Sequence, residues 1–298
     1  MSHISHPQQD SFLSDFLRKV HFWRRFRHLL LFLTALIVAS SLCIPLIYMF
    51  ASSFKPDAEM FQIPPSFFPK QLTLSGYELL LQSTSILAAF RNSTLVSLVA
   101  SFLGVSFSIG LCYTITRFRF PGMRSFTYLI LFIYTLPSIL LVIPIYALWS
   151  QLGLQGGLIP LSITYVSITL PFSVWMLRSY FAGIPVDLEE AALVDGATRL
   201  HAFLKIILPL ARPGIIATFI FTIILSWNEV LYATIFASSV DNQVISSALA
   251  SMLAESGGWQ SWSMVNAFGV VATVPVLIVF VFIQRQLVTG FTAGAVKG

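Results

Sequence analysis

The sequence predicts an all-α integral membrane protein of six transmembrane helices, with a helical loop on the cytoplasmic side. Three observations carry that expectation. Of 298 residues, 56% are hydrophobic and 10% charged, whereas a soluble domain is about a quarter charged. A chain this apolar cannot cover a water-facing surface, so lipid must cover it. Six apolar runs are each long enough to cross a hydrocarbon core, which takes about 20 helical residues. Lys and Arg are concentrated in alternate loops, the pattern that orients membrane spans.

The runs lie at Leu29–Phe50, Ser93–Thr116, Phe126–Trp149, Leu158–Leu177, Ile215–Phe236 and Val265–Ile283. Backbone in lipid must satisfy its own hydrogen bonds, so runs of this length are helices. The first is too long for a signal-peptide core of roughly 7–15 residues, and no A-x-A-like cleavage site follows, so it reads as a retained span. Three parts result: a basic cytoplasmic segment over 1–28, a six-span domain over 29–285 and a cytoplasmic tail over 286–298. Fourteen of the seventeen Lys and Arg residues fall in the N-terminal segment, the loops after the second and fourth runs, and the stretch after the sixth run. The other three loops hold Lys55, Lys70 and Arg91. Both termini are therefore expected to face the cytoplasm.

The net charge of +5 does not point to nucleic acid, because the positive charges flank apolar spans instead of forming a patch. Cys43 and Cys112 lie inside apolar runs and read as small buried residues, offering neither a disulfide framework nor a metal site. Pro137, Pro144, Pro171 and Pro275 sit near mid-run. Each removes a backbone hydrogen bond and favours a kink. The first outer loop, residues 51–91, has Pro64, Pro65 and Pro69 and then the apolar stretch Tyr77–Leu81, and is expected to form an ordered cap.

The loop between the fourth and fifth runs is the most specific segment. Asp187 is placed to cap a helix beginning at Leu188, with Glu190 completing a capping box. Gly196 suits a left-handed C-terminal cap. Thr198 is placed to cap a second helix that stops before Pro209. In that helix Leu200, Phe203, Leu204 and Ile207 share one apolar face, with Arg199 and Lys205 on others. Such a pair either lies on lipid headgroups or docks a cytoplasmic protein, and amphipathicity does not distinguish the two.

The spacing does. Glu190-Ala191-Ala192, three residues to Gly196, then nine residues to Ile206-x-Leu208-Pro209 resembles the EAA motif of ABC importer permeases. The resemblance covers nearly the whole chain and is nearest to the second permease subunit of maltose-type carbohydrate importers. Ser53-Phe54-Lys55-Pro56 with Pro64-Pro65, Arg117-Phe118-Arg119-Phe120-Pro121-Gly122, Trp227-Asn228-Glu229 and the tail from Gly290 to Gly298 are similar to stretches of that family. The basic N-terminal extension has no counterpart in it and reads as a membrane-surface segment.

The resemblance implies a type I permease fold in which Glu190, Ala191, Ala192, Gly196, Leu200, Phe203, Leu208 and Pro209 contact an ATPase subunit through coupling helices. It also implies that the tail, with Thr292, Gly294 and Lys297, reaches the ATPase. The implied partners are a second homologous permease, an ABC ATPase dimer, an extracytoplasmic sugar-binding protein and the lipid bilayer, with no nucleic acid. The chain has no G-x-x-x-x-G-K-[ST] phosphate loop, so no cofactor is expected on it, and ATP and Mg belong to the separate ATPase.

Glu229 is the only carboxylate inside a run. A charge there costs on the order of 3 kcal/mol at mid-membrane and needs water or a partner. Trp227, Asn228, Glu229 and Tyr232 therefore either line a sugar path or form a hydrogen-bonded network at the interface with the second permease. Tyr134 and Tyr165 read as core residues. The last outer loop, residues 237–264, holds Gly257-Gly258-Trp259 and Trp262, which anchor at the membrane interface or, by the resemblance, contact the binding protein. The leading function is half of an ATP-driven import path for a sugar or oligosaccharide, with another polar solute such as glycerol phosphate as the alternative. A membrane-embedded enzyme would need clustered His, Asp or Glu in the spans. A secondary transporter would predict ion-coupled uptake without ATP.

Overall fold

The computed structural model describes residues 7–154, 156–255 and 261–295. The described regular structure is helical, and five helices are long and apolar enough to cross a membrane, or six if one bent pair is a single span. Helix α1 (Pro7–Ser52) is continuous. The basic stretch before Leu29 is therefore the same helix as the first run, and no linker separates them. Most of the apolar stretch of α1 is left unburied by the rest of the chain, burial beginning only at Ala51 and Ser52, so Cys43 is exposed where burial was expected. Two short helices follow, α2 (Asp57–Met60) and α3 (Ser75–Gln82), and then the second span, α4 (Thr84–Arg117).

The third run is broken. Helices α5 (Met123–Thr135) and α6 (Ser138–Gln151) meet at 97°. Leu136 at the junction is extended because Pro137 disfavours helical backbone in the residue before it. Pro171 is instead held within α7 (Leu158–Gly183). The loop helices are α8 (Asp187–Val194) and α9 (Arg199–Ala202), and after a π-helical turn at Phe203–Ile207 comes α10 (Leu208–Trp227). The expected stop before Pro209 does not occur. The Leu208 N–H reaches the Phe203 carbonyl five residues back, and this wider turn accommodates the Pro209 ring, which collides with the preceding turn of a regular α-helix.

The fifth run also ends early. α10 stops at Trp227 and a separate α11 (Leu231–Phe236) follows, where one span to Phe236 was expected. The loop over 237–264 contains an apolar helix, α12 (Ile245–Glu255), built on buried Ile245 and Ala248. Asn92 of α4 holds its approach by donating to the Asp241 and Gln243 carbonyls, both at 2.9 Å. The Ser93 hydroxyl accepts from the Ile245 N–H at 2.7 Å. The final span, α13 (Trp262–Ala295), runs on through most of the expected tail.

The bundle is organised on α4, α7 and α10. Ala100, Gly104, Ser108 and Cys112 recur every fourth residue and form one small-residue stripe along α4. A Cβ on Gly104 would stand 2.3 Å from the Thr169 hydroxyl of α7, so α7 approaches as closely as a glycine allows. The stripe also carries polar links. Ser108 donates to the Leu170 carbonyl at 3.0 Å, the Cys112 thiol to the Val174 carbonyl at 3.4 Å, and Thr169 to the Ala100 carbonyl at 3.3 Å.

The loop over 51–91 is ordered by two buried charges. Lys55 lies over the Tyr48 ring at 4.9 Å and donates to the Ser66 carbonyl. Glu59 accepts from the Ser66 hydroxyl at 2.7 Å and from the Lys70 N–H at 2.9 Å. The Ser66 hydrogen bond holds the Glu59 carboxyl below its ordinary range, helped by the main-chain N–H of Lys70 and the Lys55 charge. Asp57 reaches across to accept from the Ser263 N–H at the start of α13 at 2.8 Å. The cap thereby ties the end of α1 to the beginning of the last span.

Candidate functional site

The loop between α7 and α10 is built by its own caps and one buried ion pair. Val186, in helical conformation, is the N-cap of α8, and Asp187 is the first helical residue with no side-chain cap bond. The expected capping box is absent, because the carboxylate cannot fold back once its own residue is helical. Gly196 has φ +88°. Its N–H meets the Leu193 carbonyl at 3.1 Å, and the Ala197 N–H meets the Ala192 carbonyl at 2.9 Å. This is the paired closure of a Schellman turn. Thr198 then caps α9, accepting from the His201 N–H at 3.2 Å.

Glu190, expected at the docking face, is exposed along with Ala191, while Ala192 is buried. Its neighbour, absent from the expected contacts, holds the loop. Glu189 is buried and its carboxylate stands 3.1 Å from the Arg117 guanidinium at the end of α4. Tyr113 donates to the same carboxylate at 2.7 Å, and the exposed Arg199 lies 3.6 Å away. Arg117 also donates to the Ile184 carbonyl at 2.9 Å, and the Tyr113 ring packs on Phe203 with centroids 4.6 Å apart. The signal available was that consecutive helical residues point about 100° apart, so one glutamate of the pair faces inward when the other faces out.

The expected apolar face of the second loop helix is divided. Ile207 is fully buried and Phe203 and Leu208 half-buried, but Leu200 is 66% exposed, and Leu204 and Pro209 are exposed as well. With Val194, 86% exposed, they leave an uncovered apolar patch around the α8–α9 turn. Among the tail residues, Thr292 and Gly294 fall on the backbone of α13, and Lys297 lies outside the described residues, as do Gly257, Gly258 and Trp259. Trp262 begins α13.

The second set of residues sits at a break in the bundle. Trp227 is buried, donating its indole N–H to the Ala272 carbonyl at 3.2 Å, and Tyr232 is fully buried. Both belong to the wall. Asn228 is exposed and donates to the Ile224 carbonyl at 2.8 Å. Glu229 is half-buried, and its carboxylate accepts from the N–H groups of Tyr232 at 3.0 Å and Ala233 at 3.2 Å. It thus meets the positive end of α11, an intrachain partner that neither sequence expectation included. Its carbonyl accepts from the hydroxyls of Tyr165 and Ser246.

Tyr232 donates to the Ser138 carbonyl at 3.2 Å, so the breaks at Pro137 and at Asn228–Val230 adjoin. Irregular backbone at membrane depth is tolerated where protein buries it or where it lines a watery cavity. A cavity of about 400 Å³ opens beside the break, with Trp227, Asn228, Val230, Ser246 and Thr273 in its lining. Tyr165 is buried as expected, whereas Tyr134 is exposed, with only one side of its ring against Phe172 of α7, centroids 6.3 Å apart.

Residues 100–292 match the family described as binding-protein-dependent transport system inner membrane component. The diacetylchitobiose uptake system permease protein DasC of Streptomyces coelicolor is 32% identical over 89% of this chain and 95% of its own length. The trehalose/maltose transport system permease protein MalG of Thermococcus litoralis is 31% identical over 91% of this chain and 98% of its own length. A chain of a bacterial ABC transporter that imports the acidic polysaccharide alginate has the same fold, with TM-score 0.74 and 22% identity over 88% of this chain and 96% of that one. The matched residues run from within α4 to near the end of α13, and the chain belongs to the binding-protein-dependent transport system inner membrane component family.

Proposed function

We propose that this chain forms half of the translocation path for a sugar or oligosaccharide, paired with a second homologous permease. An ABC ATPase dimer, holding ATP and Mg, drives it from the cytoplasm, and an extracytoplasmic sugar-binding protein delivers the solute. The cell membrane of a bacterium or archaeon is its place, with both termini cytoplasmic, as the Lys and Arg asymmetry supports. The sugar assignment rests on relatives whose names specify diacetylchitobiose, trehalose and maltose.

One observation carries the coupling mechanism. The α8–α9 unit is fixed at both ends, to α4 through Glu189–Arg117 and to α10 through an unbroken π-helical turn. A displacement applied to its exposed face, with Glu190, Val194 and Leu200, passes to two of the three central spans. At the far end of α10 stands the break at Asn228–Val230, next to the break in the third span. Motion of the loop is thereby felt where the path opens, and Asn228, which lines the cavity there, is its candidate polar contact, with the Glu229 carboxylate behind it on α11.

The test is Glu190→Lys and Gly196→Asp, with the ATPase co-purified and sugar uptake measured. Lys reverses charge on the docking face. Asp at φ +88° is strained by roughly 1 kcal/mol or more and redirects α9. Both variants should insert normally yet lose ATPase binding or uptake. Wild-type levels of both would defeat the coupling assignment.

A further inference from the structure

A basic cavity beside the coupling loop is used by nothing described above. It encloses about 630 Å³ where α4, α5 and α7 end, and its lining includes Phe118, Arg119, Phe120, Arg124, Tyr128 and Arg178. Three arginines line it and no carboxylate does. None of the three belongs to either ion pair found among the described residues. Arg124 donates to the Tyr128 hydroxyl at 3.3 Å and lies 5.6 Å from that ring's centroid, which orients it without neutralising it. The first turn of α5 opens on the cavity through Met123 and Arg124, adding the positive end of a thirteen-residue helix.

Positive charge gathered against aromatic rings, with no internal counter-charge, calls for an anion. The neighbouring surface says which kind. Past the cavity the same face of α5 continues from Thr127 and Tyr128 to Leu131 and Tyr134, both exposed, so an apolar strip runs from the arginines into the depth of the membrane. A soluble anion leaves that strip unused, and an acidic protein segment has no chemistry for it. A phospholipid matches both parts, headgroup to arginines and acyl chains to strip.

We propose that this cavity binds the phosphate headgroup of an anionic phospholipid, and that the bound lipid steadies the coupling loop. The link is Phe118, which lines the cavity and carries on its ring, at 5.5 Å, the guanidinium of Arg199. Arg199 in turn faces Glu189, the residue that anchors α8. An occupied cavity holds Phe118 in place and with it one side of the anchor. The proposal rests on the cytoplasmic placement of this end of the bundle, and its readout does not depend on transport.

The full complex is reconstituted in nanodiscs of phosphatidylcholine with and without phosphatidylglycerol, and retained lipids are counted by native mass spectrometry. The wild type should retain phosphatidylglycerol in preference to phosphatidylcholine. Arg119→Gln, Arg124→Gln and Arg178→Gln should each weaken that retention roughly five-fold, the worth of one basic residue near an anionic surface. The triple Arg→Lys variant keeps the charge and should keep most of the retention, which separates loss of the site from loss of the fold. Arg212→Gln, exposed on α10 outside the cavity, should change nothing.

Equal retention of the two lipids, or an equal loss with Arg212→Gln, overturns the proposal. Displacement of phosphatidylglycerol by inorganic phosphate would mean a free-anion site and overturns the lipid assignment. Loss of the ATPase from the three Gln variants with lipid retention unchanged would assign the cavity to a protein partner instead. Failed uptake with lipid retention intact counts against the transport reading and leaves this one standing.

Discussion

Replacing Arg117 by Gln should release the coupling loop from the bundle. The Arg117 and Glu189 side chains are 4% and 3% exposed, with the guanidinium 3.1 Å from the carboxylate. Removing one partner of such a pair costs about 3–5 kcal/mol, because the other charge stays buried and uncompensated. That is roughly two to three and a half orders of magnitude in the ratio of docked to undocked loop. Arg199 touches the same carboxylate at 3.6 Å, but its side chain is 59% exposed. Solvent screens that contact to about 0–1 kcal/mol, at most roughly five-fold. The geometry therefore predicts an order: Arg117→Gln and Glu189→Gln severe, Arg199→Gln mild. The double variant Arg117→Gln/Glu189→Gln should recover part of the loss, since neither charge remains. Hydrogen exchange over residues 187–207 in the purified complex reads this directly, alongside ATPase co-purification. Equal exchange in Arg199→Gln and Arg117→Gln, or a double variant worse than both singles, would refute the anchoring argument.

Other expectations follow from the same contacts. Glu229→Ala removes the acceptor at the start of α11 and should lower stability by about 0.5–2 kcal/mol, whereas Glu229→Gln keeps one side-chain oxygen and should be milder. Abolished uptake in Glu229→Gln at unchanged thermal stability would mean the charge serves the path instead of the helix. Gly104→Val places side-chain atoms where Thr169 already lies and should lower the melting temperature of the complex. A Val variant as stable as wild type would show that α4 and α7 separate at no cost. The Glu59 carboxyl titrates below its unfolded value of about 4.5, so its contribution is complete above that value and fades as pH falls through the lower folded one. Proteolysis of the 56–70 loop should accelerate in that acid window, and Glu59→Gln should remove the pH dependence. An unchanged acid profile in that variant would assign the transition to another group.

Composition and run length alone determined that the chain is helical and membrane-embedded, because hydration and backbone hydrogen bonding leave a long apolar run no other option. The caps at Gly196 and Thr198 were legible for a similar reason: both depend on contacts within a few residues. The Ala100-Gly104-Ser108-Cys112 stripe was written in the chain as well, but its meaning came from the close approach of α7. Tertiary structure decided the rest. It turned one glutamate of an adjacent pair inward onto Arg117, 72 positions earlier in the chain, and left Glu190 outside. It turned the expected kink at Pro137 into a break near a right angle, and it ended the fifth run at Asn228–Val230, where the Glu229 carboxylate accepts from the first N–H groups of α11. It also carried the second loop helix past Pro209 by widening a single turn. Local rules govern caps and spans because their partners lie within one helical turn, whereas the choice of which charge to bury depends on a partner that folding alone brings near.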